Sequence, residues 1–248
     1  MARSLAFRFA SLCAAVIIAL GLVASPDLAM AKKPATKLLK LMIYGDNGIV
    51  GLAMADEALR RGHTVTLVVD KPEEITKRHK KFTVLNGNIT DLHDVGQKIA
   101  AEDIVIVATR SDDASFVTSA ANSMVTASRV VGAWAPRIIW IGYASALEDE
   151  SGKRLIATMP SASRVGCPLG QTEALTYFQT VTDVLWTYLT PPLEIKSGKR
   201  TRKFRIGDGH VLRDAKGNST ISAEDLAVAA INEAEKPKHT HAQFNVAY

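Results

Sequence analysis

The strongest structural signal in this sequence is a glycine-rich turn between an apolar run and a helical segment. The turn reads Gly45-Asp-Asn-Gly48-Ile-Val-Gly51, follows the apolar run 37–44 and opens a segment with helical spacing that stops at Gly62. In such a unit the first glycine allows a tight turn, the second lets the backbone approach a pyrophosphate, and the third lets helix pack on strand. The helix N-terminus favours phosphate groups. The spacing predicts dinucleotide binding, with a structural turn as the alternative, at Gly45, Asn47, Gly48, Ile49, Val50 and Gly51.

Further apolar runs alternate with helical segments along the rest of the chain. Most of the runs are continuous rather than alternating, which is typical of parallel strands that are covered on both faces. Together with 37–44 they predict strands over 64–69, 82–85, 103–108, 137–142 and 182–188. The intervening segments predict helices over 49–61, 92–101, 114–128 and 168–180. This order predicts an α/β fold with a doubly wound parallel sheet.

The C-terminal part has a different pattern. Two short strands, 202–205 and 210–212, are expected to form a hairpin around the glycines of 207–209. Ser222 followed by an acidic first turn is typical of a helix cap, and we expect a helix from there to about residue 235. A last strand is expected over 244–248.

Composition excludes several classes of protein. The chain has 248 residues, of which 47% are apolar and 22% charged, so one sizeable globular core is expected. Two cysteines, Cys13 and Cys167, cannot form a disulfide framework or a cysteine-rich zinc site, and we expect no metal. The net charge of +5 is spread along the chain, so we expect no nucleic-acid partner.

Residues 1–31 have the features of an export signal. Arg3 and Arg8 precede an apolar run over 9–24, and small residues around Ala31 suit cleavage. Cleavage after Ala31 would leave a single domain, 37–248, in the periplasm or outside the cell, with no stable membrane span. An uncleaved anchor is one alternative. A start at Met30, which would give a cytoplasmic protein, is the other.

Asp70 ends the second predicted strand, nineteen residues after Gly51. A carboxylate at this position accepts hydrogen bonds from the ribose hydroxyls of the adenosine and repels a 2′-phosphate. NAD is therefore the expected cofactor and NADP the second choice. Lys71 and the basic run 77–81 are the counterweight, because they could neutralise a 2′-phosphate.

Several segments together resemble the atypical short-chain dehydrogenases/reductases. The group that they resemble binds NAD(P)H and includes NmrA-like and biliverdin- or flavin-reductase-like proteins. Beside the glycine turn, the segments that carry the resemblance are 57–63, 87–91, 186–192, 198–205, 221–227 and 244–248. The resemblance implies a Rossmann-type sheet with a small C-terminal lobe on the substrate side.

The resemblance also implies where a cofactor lies. Asn88 and Ile89 should line the adenine pocket, and Ala108, Thr109 and Arg110 should lie along the nicotinamide half. Gly142 should sit beside the nicotinamide, with 191–195 covering it. All of these follow predicted strands, where such sheets bind their ligands.

One departure limits the chemistry that can be expected. The larger superfamily uses a Tyr-x-x-x-Lys pair as proton donor, and no tyrosine of this chain is followed by such a lysine. Tyr143 and Ser145, after the fifth strand, are the remaining candidates for catalytic residues. We expect an NAD(P)-dependent oxidoreductase that passes a hydride to a small acceptor, anionic or aromatic. A non-catalytic dinucleotide-binding sensor or regulator is the alternative.

Overall fold

The computed structural model describes residues 37–45 and 48–248, and strands and helices alternate along them. The strands are β1 (Lys40–Gly45), β2 (Thr64–Val69), β3 (Phe82–Asn86), β4 (Ile104–Ala108), β5 (Arg137–Ile141), β6 (Trp186–Thr190), β7 (Glu194–Lys196), β8 (Arg205–Gly207), β9 (Thr220–Ser222) and β10 (Ala242–Ala247). The helices are α1 (Ile49–Arg60), α2 (Leu92–Ile99), α3 (Ala114–Val131), α4 (Cys167–Phe178) and α5 (Ala223–Glu235). The predicted leader, 1–31, lies outside the described residues.

Eight of the strands form one sheet, in the order β3-β2-β1-β4-β5-β6-β10-β8. All neighbours are parallel except β10 and β8. The strand order reverses direction between β1 and β4, which leaves a crevice outside their carboxyl ends. The predicted doubly wound parallel sheet, a Rossmann-type fold, is confirmed.

Successive side chains of a strand point to opposite faces of the sheet, so these apolar strands present apolar side chains on both faces. Helices cover both faces. Leu41 and Ile43 of β1 pack into the core under α1 and α5. Met42 and Tyr44, between and after them, pack into the second core, which includes residues of α2, α3 and α4. This two-sided burial explains why the strands read as continuous apolar runs.

Three of the described helices begin with a side-chain cap. The side chains of Asp91 and Asp113 accept hydrogen bonds from first-turn amides of α2 and α3. Ser222 Oγ accepts from Asp225 N at 3.0 Å at the start of α5, so the predicted cap is confirmed.

The predicted C-terminal hairpin is wrong. Only Arg205–Gly207 forms a strand, and it pairs with the end of β10 rather than with 210–212. The backbone of Val211 instead bonds to Glu148 O at 2.9 Å. The true partners lie far away in the sequence, so local pattern could not identify them. The small parallel pair of β7 and β9, three residues each, was not predicted at all.

The sixth strand begins later than predicted. Residues 182 and 183 are exposed, and Asp183 pairs with Arg129 at 2.8 Å, so they belong to the turn after α4. The strand starts at Trp186, where the chain becomes buried. Of the helices in the described part of the chain, none is long and apolar enough to cross a membrane.

Candidate functional site

The glycine turn brings α1 close to the end of β1. A Cβ placed on Gly45 would lie 3.5 Å from the Cα of Gly51, so the first and third glycines face each other where helix meets strand. Gly48 is the N-cap of α1 and has no side chain to cap the first-turn amides. In an α-helix the first N–H groups have no partner within the helix itself, and such groups favour phosphate. Asn47 lies outside the described residues.

A cleft, here called the main cleft, opens beside the N-terminus of α1. Its walls come from the ends of β4, β5 and β6 and from the segment after β6. The lining residues are Gly48, Ile49, Val50, Ala108, Thr109, Arg110, Ile141, Gly142, Tyr143, Ala144, Pro191, Pro192, Leu193 and Ile195. The structure thus brings together seven of the predicted cofactor residues and Tyr143.

A second, smaller cavity, here called the side pocket, lies beyond the carboxyl end of β2. Its lining residues are Tyr44, Gly45, Val68, Val69, Asp70, Gly87, Asn88, Ile89, Thr109, Arg110 and Phe116. Thr109 and Arg110 line both cavities, so the two cavities adjoin at the end of β4. Asp70, Asn88 and Ile89, which the sequence assigns to the adenosine half, all line the side pocket, together with Gly45 of the glycine turn.

Gly142 occupies a position that no larger residue can take without a shift of its neighbour. A Cβ there would come within 2.1 Å of the Tyr188 ring. Tyr188 is held in place, since its hydroxyl donates to Gln171 O at 2.6 Å from a fully buried position. The absent side chain at Gly142 therefore allows the end of β5 to pass close to the Tyr188 ring.

Arg110 lies at the junction of the two cavities. Its guanidinium carbon is 6.0 Å from the centre of the Tyr143 ring, within cation–π range. The Arg110 side chain is exposed and Tyr143 is half-buried. A positive group and a phenol thus stand side by side at the mouth of the main cleft.

Ser145 does not line either cavity. It is buried, and its hydroxyl contacts Pro168 O at 2.8 Å and Thr172 Oγ1 at 3.0 Å. These contacts attach the loop after β5 to the first turn of α4.

The basic residues around Asp70 have other partners. Lys71 pairs with Glu74, and Lys77 pairs with Asp56 of α1. Lys81 Nζ donates to Gly62 O at 2.6 Å, and the Arg78 guanidinium donates to Ile75 O at 2.8 Å. Asp70 itself is exposed, and its side chain faces solvent at the side pocket.

Comparison with known proteins identifies the family. The family model described as NAD(P)H-binding matches residues 45–237, which include the glycine turn, both cavities and α5. The chain belongs to this NAD(P)H-binding family. The resemblance to atypical short-chain dehydrogenases/reductases inferred from the motifs is confirmed, and the ligand of the fold is a nicotinamide dinucleotide.

Three solved structures share the fold. A candidate exported protein from Burkholderia pseudomallei is 32% identical, with a TM-score of 0.76, over 85% of this chain and 100% of that chain. A candidate epimerase from Bacteroides thetaiotaomicron is 29% identical, with a TM-score of 0.79, over 86% of this chain and 98% of that one. A candidate NADH-flavin reductase from Streptococcus pneumoniae is 22% identical, with a TM-score of 0.72, over 84% and 99%, and shows the fold alone.

A curated relative, YwnB of Bacillus subtilis strain 168, is 28% identical over 218 residues. The match covers 84% of this chain and 98% of that protein.

Much of the family resemblance rests on residues that hold the C-terminal lobe in place. Glu57 of α1 is buried, and both of its carboxylate oxygens accept from Arg200 at 2.6 Å. Burial raises the pKa of Glu57, but hydrogen bonds from Arg200 and Arg61 outweigh it, so the pKa lies below its ordinary value. Asp225 of α5 accepts from Arg202 N at 2.7 Å and from the Tyr248 hydroxyl at 2.9 Å. Four of the segments that carry the sequence resemblance meet in these contacts, namely 57–63, 198–205, 221–227 and 244–248.

Sequence reasoning missed several walls of the side pocket, namely Tyr44, Val68, Val69, Gly87 and Phe116. Val68, Val69 and Phe116 are strand or helix residues whose sequence pattern indicates only burial. Tyr44 carried a signal, because it is the one residue of the β1 core run with a polar atom.

Proposed function

We propose that this protein is an NAD(P)-dependent oxidoreductase that passes a hydride from a nicotinamide to a small, flat acceptor. The observation that supports this most is the arrangement of two adjoining cavities at the carboxyl edge of the sheet. The side pocket suits the adenosine half and the main cleft suits the nicotinamide half, with the N-terminus of α1 between them. Both cavities border Arg110, where the pyrophosphate of a bound dinucleotide would pass.

The residues of the two cavities fit such a cofactor. The first-turn amides of α1 and the Arg110 guanidinium would neutralise the pyrophosphate, and Asp70 would accept from the ribose hydroxyls. Apolar walls at Ile141, Pro191 and Leu193 exclude water from the place where a nicotinamide would lie. The cofactor, when bound, supplies the hydride.

Tyr143 is the residue that we propose to contact the acceptor. It stands in the main cleft next to Arg110, so its phenol can donate a hydrogen bond to an acceptor atom that gains negative charge. We propose that Ser145 acts as a positioning residue instead, since its hydroxyl anchors the Tyr143 loop to α4. The proton of the reduced acceptor can come from solvent, because hydride transfer itself needs only two aligned rings.

NAD is the proposed cofactor and NADP the second choice. The exposed carboxylate of Asp70 repels a 2′-phosphate at the ribose position. Three of the basic side chains that could offset this repulsion are bonded elsewhere, Lys77 to Asp56, Arg78 to Ile75 O and Lys81 to Gly62 O.

Export is part of the proposal. The leader-like residues 1–31 support it, and the similar structure from Burkholderia pseudomallei is described as a candidate exported protein. An exported protein needs a source of dinucleotide outside the cytoplasm, whereas a start at Met30 would give a cytoplasmic enzyme. The identity of the N-terminal residue of the mature protein, measured on protein from the native host, separates the two.

A non-catalytic dinucleotide sensor is the second candidate. One observation favours it: the residues that line the main cleft include no His, Asp, Glu, Cys or Lys. A sensor needs to bind a dinucleotide in one redox state but needs no proton donor. An epimerase is disfavoured because its chemistry requires the missing Tyr-x-x-x-Lys base.

Calorimetry with NAD, NADH, NADP and NADPH is the first test. We expect binding, with NAD(H) preferred, and absence of binding to all four would overturn the proposal. Hydride transfer is then tested by anaerobic mixing of the NADH complex with flavin mononucleotide or a benzoquinone. The absorbance of the reduced nicotinamide should fall as the hydride is transferred. The variant Tyr143→Phe should slow transfer but leave NADH affinity unchanged, and Arg110→Met should weaken NADH binding about tenfold. Binding without transfer to any acceptor would favour the sensor.

A further inference from the structure

One lining residue of the side pocket, Tyr44, has a buried hydroxyl without a hydrogen-bond partner among the described residues. Tyr44 is 2% exposed, and its Oη has no partner among the described residues. Buried hydroxyl groups almost always have a partner, because an unpaired one keeps the full cost of leaving water. A hydroxyl left unpaired in the wall of a ligand pocket indicates that the ligand supplies the partner.

The neighbouring polar groups form hydrogen bonds with other residues and none with Tyr44. Asp94 Oδ2 accepts from Asn88 N at 2.8 Å, and Asp94 Oδ1 pairs with Lys98. Asn88 Oδ1 accepts from both the amide and the hydroxyl of Thr90, at 3.0 and 2.8 Å. The Tyr44 hydroxyl is therefore left unpaired by the described residues around it.

The hydroxyl is a neutral donor. Burial raises the pKa of Tyr44, and the negative charge of Asp94 raises it further. A phenol with a raised pKa stays protonated at neutral pH, so it can donate its proton to an acceptor atom.

The rest of the side pocket suits a flat aromatic ring. Val68, Ile89 and Phe116 give it apolar walls, and Asp70 marks the solvent end where a ribose would lie. Adenine presents ring nitrogens that accept hydrogen bonds, whereas its exocyclic amino group only donates. An acceptor on the base, inside apolar walls, matches a buried neutral donor.

We propose that Tyr44 is a specificity-determining residue that donates a hydrogen bond from its hydroxyl to a ring nitrogen of the adenine base. The inference rests on the proposed dinucleotide binding and assigns one residue of the adenosine half. The hydrogen bond from Tyr44 would distinguish a base that has an acceptor atom at that position from a base that lacks one.

The test compares Tyr44→Phe with wild type by calorimetry, using NADH and reduced nicotinamide mononucleotide, which lacks the adenosine half. We expect the Kd for NADH to rise about two- to tenfold in Tyr44→Phe, the range of one neutral hydrogen bond. The Kd for the mononucleotide should not change. Tyr177→Phe, a half-buried tyrosine of α4 that lines neither cavity, is the matched control and should bind both ligands as wild type does.

NADH analogues with 1-deaza, 3-deaza or 7-deaza adenine identify the acceptor atom. One of these analogues should bind wild type more weakly than NADH does. Tyr44→Phe should bind that analogue and NADH with the same affinity, because the hydrogen bond to the base is already absent in this variant. Thermal unfolding without ligand is a third measurement. Tyr44→Phe should be at least as stable as wild type, since it removes an unpaired polar atom, whereas Tyr188→Phe should be less stable.

The outcomes separate this inference from the proposed function. If wild type binds none of the four dinucleotides, the proposed function is overturned. If wild type binds NADH and Tyr44→Phe binds it equally well, only the role of Tyr44 is overturned. An equal loss for NADH and the mononucleotide would also overturn it, because such a loss reports a general change in the fold.

Discussion

The guanidinium of Arg200 pairs with both carboxylate oxygens of Glu57, 143 positions away in the sequence. Glu57 is buried in α1, and Arg200 follows the segment that supplies Leu193 and Ile195 to the main cleft. One ion pair therefore fixes a wall of the candidate site to the helix whose N-terminus faces that site. Two-point Arg–carboxylate contacts are among the strongest charged hydrogen bonds in proteins.

Replacing Arg200 by Met should loosen that wall. The remaining Arg60 and Arg61 contacts keep Glu57 paired, so we expect a loss of about 1–3 kcal/mol in the free energy of unfolding rather than the larger cost of an unpaired buried charge. The Kd for NADH should rise as well, because the cleft wall is less well fixed. Urea unfolding and calorimetry measure the two effects.

Lys203→Met is the matched control for that variant. Lys203 is exposed on the same segment, and removing it changes the net charge by the same amount. The idea that the ion pair fixes the wall fails if Arg200→Met and Lys203→Met have the same stability and the same NADH affinity.

His63 should make the stability of the protein depend on pH. Its ring is fully buried, Nδ1 accepts from Leu39 N at 3.1 Å, and Nε2 lies 3.1 Å from Glu235. Burial lowers the pKa of His63, and the positive charges of Arg61 and Lys81 add to this, while Glu235 opposes it. The folded state binds the proton less readily than the unfolded state, whose pKa is about 6.5. Stability is therefore complete above that pH and falls as the pH drops below it.

The measurement is the free energy of unfolding in urea at a series of pH values from 7.5 to 5. His63→Gln should have a lower stability at pH 7.5 but a flatter dependence over that range. His93→Gln, which changes an exposed histidine of α2, should keep the wild-type slope. An unchanged slope in His63→Gln would show that another group is responsible.

Gly142 and Gly96 should respond in opposite directions to the same added methyl group. In Gly142→Ala the Cβ would overlap the Tyr188 ring, so we expect a loss of about 1–3 kcal/mol and a weaker affinity for NADH. In Gly96→Ala the Cβ meets no atom within 4 Å in the middle of α2, so we expect a gain of about 0.5–1 kcal/mol. Urea unfolding of both variants checks the pair, and a stable Gly142→Ala protein would show that Tyr188 can move.

The strands around the cavities could be predicted because their signals are local. The run 64–69 is apolar and bounded by breakers, and it became β2 with the same bounds. Three residues of the candidate site could be predicted from local pattern, namely Gly48, Asp70 and Arg110. Each lies just after a predicted strand or at the start of a predicted helix, and folds of this type bind their ligands at that edge of the sheet. Both kinds of inference need only a few adjacent residues.

Contacts between distant segments could not be predicted from local pattern. Residues 202–205 look like half of a hairpin, but the strand that forms is 205–207, and it pairs with 245–247 because the sheet continues there. Likewise, the hydroxyl of Ser145 faces Pro168 and Thr172 rather than the cleft, since α4 packs against the loop after β5. Sequence position puts Tyr143 and Ser145 in the same loop, and packing alone decides which of them lines the main cleft.

Asp70 is the residue on which the choice between NAD and NADP should depend. In Asp70→Asn the negative charge at the side pocket is lost, so a 2′-phosphate is no longer repelled. We expect the preference for NADH over NADPH, measured as the ratio of their Kd values, to fall about tenfold or more. The neighbouring variant Glu73→Gln removes an exposed carboxylate of the same loop and should leave the ratio near the wild-type value. A wild-type protein that prefers NADPH would show instead that Lys71 and Lys80 outweigh Asp70, and Lys80→Met should then restore the preference for NADH.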